Sequence, residues 1–313
     1  MIDVLRKLSN IGISYDKTFT RFCKNEDLNI EKISEELEFP ISVIFQITRK
    51  CHLCCIFCSE PEEIPDPEFK YLIKAYNNLK GTARVFLSGG EPSMRKDLAD
   101  IIELFSKSYI IGLPTNALIP KTLIPVIKEK VNFVNVGLDG PRNITNRIRG
   151  DYDKILEGIR LLRINDISIS LTSVILSSTL DSIPFMCQIA DDLGAIKHKL
   201  VLPIQKGRAL ELRDTEFISE EKVKELYREL QVLKEKMGWK PIITLTPWTN
   251  DVEGYSILIY PDGNTYAWPV YDKDNKRLYL GNIFEENIKT IWEKYPYKAN
   301  HLKKYLGKSI YII

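Results

Sequence analysis

From Ile41 to Pro203 the chain alternates between short apolar, β-branched runs and longer amphipathic stretches, and few folds tolerate that rhythm. The runs Ser42–Thr48, Arg84–Leu87, Tyr109–Leu113, Phe133–Leu138, Ser168–Ile175 and Lys199–Pro203 read as strands. The stretches Pro67–Leu79, Lys96–Lys107, Lys121–Lys130, Tyr152–Arg163 and Ser182–Leu193 read as the helices between them. A helix between successive strands carries the chain back to the starting edge, so the strands lie parallel. Six strands fall short of the eight of a closed barrel. An incomplete barrel or an open doubly wound sheet fits the count.

The flanks differ in texture. Residues 1–40 form a mixed, polar N-terminal extension with a helical piece at Asn29–Leu37. Residues 41–210 hold the strand–helix series. Residues 211–313 read as a smaller α+β region: a charged amphipathic helix over Ser219–Met237, a strand at Ile242–Thr246, a hairpin from Ser256–Tyr260 to Thr265–Ala267 around Pro261-Asp262-Gly263-Asn264, a helix near Glu286–Tyr295 and a basic tail. With 44 Lys+Arg against 42 Asp+Glu the net charge is +2, which argues against a nucleic-acid binder. No apolar run approaches the roughly 20 residues of a membrane span, and the N-terminus lacks a signal-peptide pattern. A cytoplasmic protein without a membrane partner is expected.

Four of the six cysteines crowd into one segment, Cys51, Cys54, Cys55 and Cys58, just past the first predicted strand; Cys23 and Cys187 stand alone. Ligands gather at the carboxyl ends of parallel strands, so the location suits chemistry. Zinc commonly takes two separated ligand pairs, and no second CxxC pair exists. A dithiol redox centre needs only CxxC, which Cys51/Cys54 and Cys55/Cys58 both satisfy. A 4Fe–4S cluster takes cysteine thiolates, and three of them leave one iron open. The cysteines alone leave all three readings standing.

Cys51-x-x-x-Cys55-x-x-Cys58, with aromatic Phe57 before the last cysteine, resembles the CxxxCxxC signature of the radical S-adenosylmethionine (radical SAM) superfamily. In that register Cys54 is a bystander. The second strand runs into Ser88-Gly89-Gly90-Glu91-Pro92, similar to the superfamily's GGEP motif, which cradles the methionyl amino group of SAM; Glu91 would face that ammonium. Thr115-Asn116 resembles the strand end that lies near the cofactor. Asp139-Gly140 with Arg149-Gly150 resembles the SLDG…RG stretch, which would set Asp139 at the ribose or substrate and Arg149 at the SAM carboxylate. Val174, on the fifth strand, would line the adenine. Lys206 and Arg208 fall in a P…GRA ending similar to that of the SPASM/twitch branch, where they would serve an anionic substrate, SAM or merely the surface.

The resemblance implies a partial (β/α)6 TIM-like barrel with a small twitch-like C-terminal region. Tyr260-Pro261-Asp262-Gly263, Leu280-Gly281-Asn282-Ile283 and Trp292 resemble the twitch frame, but Trp268 and Pro269 stand where a cysteine is expected, and no cysteine follows Cys187. An auxiliary cluster therefore lacks ligands. The implied cofactors are one 4Fe–4S cluster on Cys51, Cys55 and Cys58, and SAM, with an external one-electron donor such as flavodoxin or ferredoxin. The implied activity is reductive cleavage of SAM and hydrogen abstraction from substrate by the 5′-deoxyadenosyl radical. The short N-terminal extension has no room for the leader-binding domain of many peptide maturases. This favours a sugar- or nucleoside-type metabolite or a short peptide, with a ribosomal-peptide maturase as the alternative. Cys187 is a candidate hydrogen donor to a substrate radical, set against the ordinary role of a buried structural thiol.

Overall fold

The computed structural model describes residues 1–24, 29–246, 256–270, 277–306 and 311–313. Its strands are β1 (Ile13–Asp16), β2 (Arg21–Lys24), β3 (Ser42–Thr48), β4 (Arg84–Gly89), β5 (Ile110–Thr115), β6 (Phe133–Gly137), β7 (Ile169–Val174), β8 (Lys197–Val201), β9 (Ile242–Thr246), β10 (Ser256–Ile259), β11 (Asn264–Trp268), β12 (Tyr279–Asn282) and β13 (Tyr311–Ile312). β1 and β2 form a separate hairpin, and the other eleven form one sheet in the order β12-β11-β10-β3-β4-β5-β6-β7-β8-β9-β13. The six strands expected from the sequence are β3 to β8, paired in parallel in chain order.

The parallel run is longer than the sequence suggested. β9 adds to β8 and β10 adds to β3, both in parallel. The far sides of these two strands are taken by antiparallel partners, β13 and β11, so the sheet curls as a partial barrel without closing on itself. One sheet thus runs across residue 210: the C-terminal region supplies both flanks of the barrel.

The strands alternate in a way fully buried parallel strands do not. In β3, Val43, Phe45 and Ile47 are 0% exposed and join the helix-facing core, while Ser42, Ile44 and Gln46 take the opposite face. That core includes Leu98, Ile101, Ile102 and Phe105 of the helix Leu98–Ser106, all fully buried. Each such side chain stabilises the fold by roughly 1.5–3 kcal/mol. The other face of the strands looks into the barrel and is largely polar.

Several elements escaped the sequence reading. Helix Arg142–Ile148 has only Ile144 and Ile148 as apolar residues, too few for a readable period. The N-terminal extension adds a helix at Ile2–Asn10 and the β1–β2 hairpin ahead of the expected helix, which runs over Ile30–Glu36. Much of the basic tail is the helix Lys298–Tyr305, which buries His301 and Leu302; residues 307–310 lie outside the described residues. This helix and the hairpin cover the amino ends of the barrel strands. Arg84 at the start of β4 donates to the Thr20 carbonyl (3.2 Å) and lies over the rings of Phe22 and Tyr305. Among the described residues no helix is long and apolar enough to cross a membrane.

Candidate functional site

The cysteine segment lies between the carboxyl end of β3 and the helix Phe69–Asn78, and backbone bonds fasten it from three sides. The Gly90 and Glu91 amides donate to the carbonyls of Thr48 (2.9 Å) and Lys50 (2.7 Å). The Ile56 amide donates to the Ile148 carbonyl (2.9 Å). Arg208 donates through its amide to the Cys58 carbonyl (2.9 Å) and through Nε to the Cys55 carbonyl (3.0 Å). The second glycine of the Gly89-Gly90 pair is required here: a Cβ on Gly90 would stand 2.6 Å from the Arg49 carbonyl oxygen and closer still to that of Lys50. The glycine turn therefore admits the backbone that enters the cysteine loop.

Cys51 and Cys54 are exposed, while Cys55 and Cys58 are half-buried. Burial pushes the Cys55 thiol up to about 11; Arg149, whose Nη1 lies 4.0 Å from the sulfur, pulls the other way. Burial also raises Cys51, against a hydrogen bond from the Leu53 amide (3.4 Å). Cys51, Cys55 and Cys58 lie within electrostatic range of one another. Cys54 instead lines an open cleft of about 590 Å³ with Asn146, Arg147 and Tyr152. Among the described residues no three Cys, His, Asp or Glu side chains are spaced to hold a single ion. An iron–sulfur cluster, in which each thiolate meets its own iron, makes no such demand, so the donor set fits it.

Glu91 is fully buried, and its carboxylate is met by the chain itself. Oε1 accepts from the Ser93 amide (3.0 Å) and from the Thr115 hydroxyl (2.9 Å), and Oε2 accepts from the Asn116 amide (2.7 Å). Glu91 thus ties the end of β4 to the end of β5. Asn116 also contacts His52 of the cysteine segment, 3.3 Å from its Nδ2 to the imidazole Nε2. Ser88 and Pro92 flank this turn, Ser88 on the barrel face of β4 and Pro92 opening a short 3-10 turn.

Asp139 and Arg149 are committed to each other. Arg149 donates through Nε to Asp139 Oδ2 (2.6 Å) and through Nη2 to Oδ1 (3.2 Å), and the Val174 amide donates to the same Oδ1 (2.8 Å). Burial works against the guanidinium charge, but Asp139 and the Cys55 sulfur outweigh it and hold Arg149 above its ordinary range. The guanidinium lies 5.1 Å over the Phe57 ring and covers Gly137, where a Cβ would leave it no room. Phe57, Ile148 and Val174 share one small apolar cluster beside the cysteines. A buried carboxylate requires a partner, and Arg149 is the one in reach.

A neighbouring network was not foreseen. Glu60 receives Arg49 (2.9 Å) and Lys206 (2.8 Å), and Lys206 donates to the Tyr260 hydroxyl (2.8 Å) beyond β10. Lys206 is therefore neither a surface charge nor open to a ligand. Arg49 and Glu60 bracket the cysteines in sequence, and a charge directly after an apolar strand was the available signal. Cys187 lies elsewhere. It is buried between the helices Ile183–Asp192 and Glu220–Met237 among Ile183, Leu226 and Leu230, where burial pushes its thiol up to about 12. That closed apolar setting is a structural one and corrects the hydrogen-donor expectation.

Residues 45–184, from β3 into the helix after β7, match the Radical SAM superfamily. These residues form a radical SAM domain, and the radical SAM family works with a 4Fe–4S cluster and SAM. A probable GTP 3′,8-cyclase of Methanocaldococcus jannaschii is 31% identical over 174 residues, 50% of this chain and 56% of that protein. A PqqA peptide cyclase of Bradyrhizobium diazoefficiens is 27% identical over 199 residues, 58% of this chain and 51% of that one. The radical SAM chain described here thus spans about half the length of these relatives. Among solved structures, anSMEcpe with bound AdoMet matches at TM-score 0.68 and 16% identity, covering 81% of this chain and 80% of that one. Streptococcus suis SuiB bound to S-adenosylmethionine matches at 0.67 and 14%, covering 87% and 69%. At these identities the structural matches speak for the fold.

Proposed function

We propose that this radical SAM chain holds its 4Fe–4S cluster on Cys51, Cys55 and Cys58 and acts on a sugar- or nucleoside-type metabolite or a short peptide inside the partial barrel. The observation that carries the reading is the placement of these three thiols, in one loop fastened to the Gly89–Pro92 turn at the carboxyl ends of β3 and β4. When bound, the cluster and SAM supply a 5′-deoxyadenosyl radical able to abstract a substrate hydrogen. The chain's own residues do the positioning. Glu91 locks Thr115 and Asn116 beside the glycine turn, where Ser88, Gly89, Gly90 and Pro92 shape the SAM cradle. Asp139 orients Arg149 so that one guanidinium nitrogen faces Cys55 and offsets thiolate charge. Phe57 and Val174 supply the apolar wall beside SAM.

One cluster is proposed, because no cysteine follows Cys187 and the twitch-like region has no thiolates to offer a second. An external flavodoxin- or ferredoxin-type donor and a cytoplasmic setting belong to the same reading. A ribosomal-peptide maturase is the second reading. It is favoured by the likeness to a PqqA peptide cyclase and to SuiB, which has been seen bound to the precursor peptide SuiA.

Anaerobic reconstitution followed by iron and sulfide counting should give about four of each per chain. Reduced protein with SAM should release 5′-deoxyadenosine. About eight irons with two spectroscopic clusters would overturn the single-cluster reading, and no 5′-deoxyadenosine from an intact, reduced cluster would overturn the radical one.

A further inference from the structure

The barrel lumen has a second chemistry at its floor. Lys197, Lys199 and Val201 of β8 face inward, because His198 and Leu200 between them are fully buried on the opposite face. In register, Lys199 stands between Thr172 of β7 and Thr244 of β9, and Lys197 between Ser170 and Ile242. Arg84 enters the same floor from β4, over the rings of Phe86 and Phe133, and Lys199 itself lies 5.9 Å over Phe133. Phe86, Asn135, Thr172, Lys199 and Val201 keep accessible surface although helices cover the outside of their strands, as side chains lining an internal space do.

The charges on this floor do not balance. Lys197 donates to the Phe19 carbonyl at 3.4 Å and has Asp16, itself paired with Arg21, in electrostatic range. Lys199 has no hydrogen bond or ion pair among the described residues, and the charges in its range are Lys197, Arg84 and Lys304, all positive. The Asn135 Oδ1, on the inward face of β6, is buried without a hydrogen-bond partner among the described residues. Burial raises the Tyr305 phenol, but Lys304 and Arg84, with hydrogen bonds to Ser256 and Ser42, outweigh it and bring it below its ordinary range. Burial, with Lys197, Arg84 and Lys304 nearby, pushes Lys199 well below its ordinary range, so its charged form is costly until an anion joins it, and proteins retain such groups mainly where a ligand completes them.

We infer that the floor of the barrel lumen is an oxyanion subsite, in which Lys199, backed by Lys197 and Arg84, receives a phosphate or carboxylate group of the substrate. The inference rests on the reading that substrate enters the lumen, and it narrows the substrate class to molecules with an anionic end that points away from the cysteines. Asn135 meets a donor on the same molecule.

The test titrates the reconstituted full chain with inorganic phosphate and, separately, with acetate at low ionic strength, wild type beside Lys199→Met and Lys199→Gln. Wild type should bind one oxyanion per chain, and both variants at least tenfold more weakly. Tighter phosphate binding marks a phosphorylated metabolite, and tighter acetate binding a carboxylate. Both variants should melt above the unliganded wild type, because they remove a buried amine that has neither a hydrogen bond nor an ion pair among the described residues. Phosphate and acetate bound by the variants as by wild type, or variants that melt lower or fail to fold, would overturn the inference, since the ammonium would then be a structural element. Release of 5′-deoxyadenosine by the wild type is a separate measurement: its absence would overturn the radical reading and leave the titration to decide the subsite.

Discussion

The mouth and the floor of this barrel are built on opposite plans. At the mouth three carboxylates near the cysteines are answered by the chain: Glu91 by three donors, Asp139 by Arg149 and the Val174 amide, Glu60 by Arg49 and Lys206. At the floor, Lys199 faces other cations and, among the described residues, no anion in range. The contrast separates two demands. A cofactor that must be held in one geometry is served by a preorganised frame whose polar groups restrain one another. A group that must recognise a ligand's charge is left unanswered until the ligand arrives.

The largest effect that could break this comparison is at the thiols. Cys55→Ala should abolish the brown chromophore of the reconstituted protein, whereas Cys54→Ala should keep it; the opposite pattern in absorbance would shift the ligand register. Next comes the buried pair. Arg149→Met leaves the 0%-exposed Asp139 carboxylate without its cation. It should cost about 3–5 kcal/mol in denaturant unfolding, and the double variant Asp139→Asn/Arg149→Met should recover much of that loss. A smaller loss in Arg149→Met would mean that Asp139 finds another partner.

Glu91→Gln should cost roughly 1.5–3 kcal/mol of stability, since it exchanges charged acceptors for a neutral amide. If SAM affinity falls about 10- to 150-fold while the melting temperature holds, Glu91 reaches the methionyl ammonium directly rather than fastening the two strand ends. The smallest effect is expected at Cys187→Ala, about 1 kcal/mol by unfolding with 5′-deoxyadenosine release unchanged. A loss of release would return that thiol to the site.

Much of the barrel was legible because its signals are local. Apolar runs bounded by amphipathic stretches marked β3 to β8 within a few residues, and the spacing Cys51, Cys55, Cys58 marked a ligand set before any geometry. The elements that were missed, such as Arg142–Ile148 and Tyr311–Ile312, are short, and they are held by partners far along the chain.

The sequence by itself determined that β3 to β8 form, that they run parallel, and which residue types stand at their carboxyl ends, because propensity, periodicity and spacing act over a few residues. Tertiary structure alone decided the pairings. Asp139 finds Arg149 ten residues on, Glu91 finds Thr115 and Asn116 from the next strand, and Lys206 finds Glu60 from 146 residues away. Only the curl of the sheet brings Arg84, Lys197 and Lys199 to one floor. A charge's role depends on what stands within a few ångströms of it, and that neighbourhood comes from strand order and register.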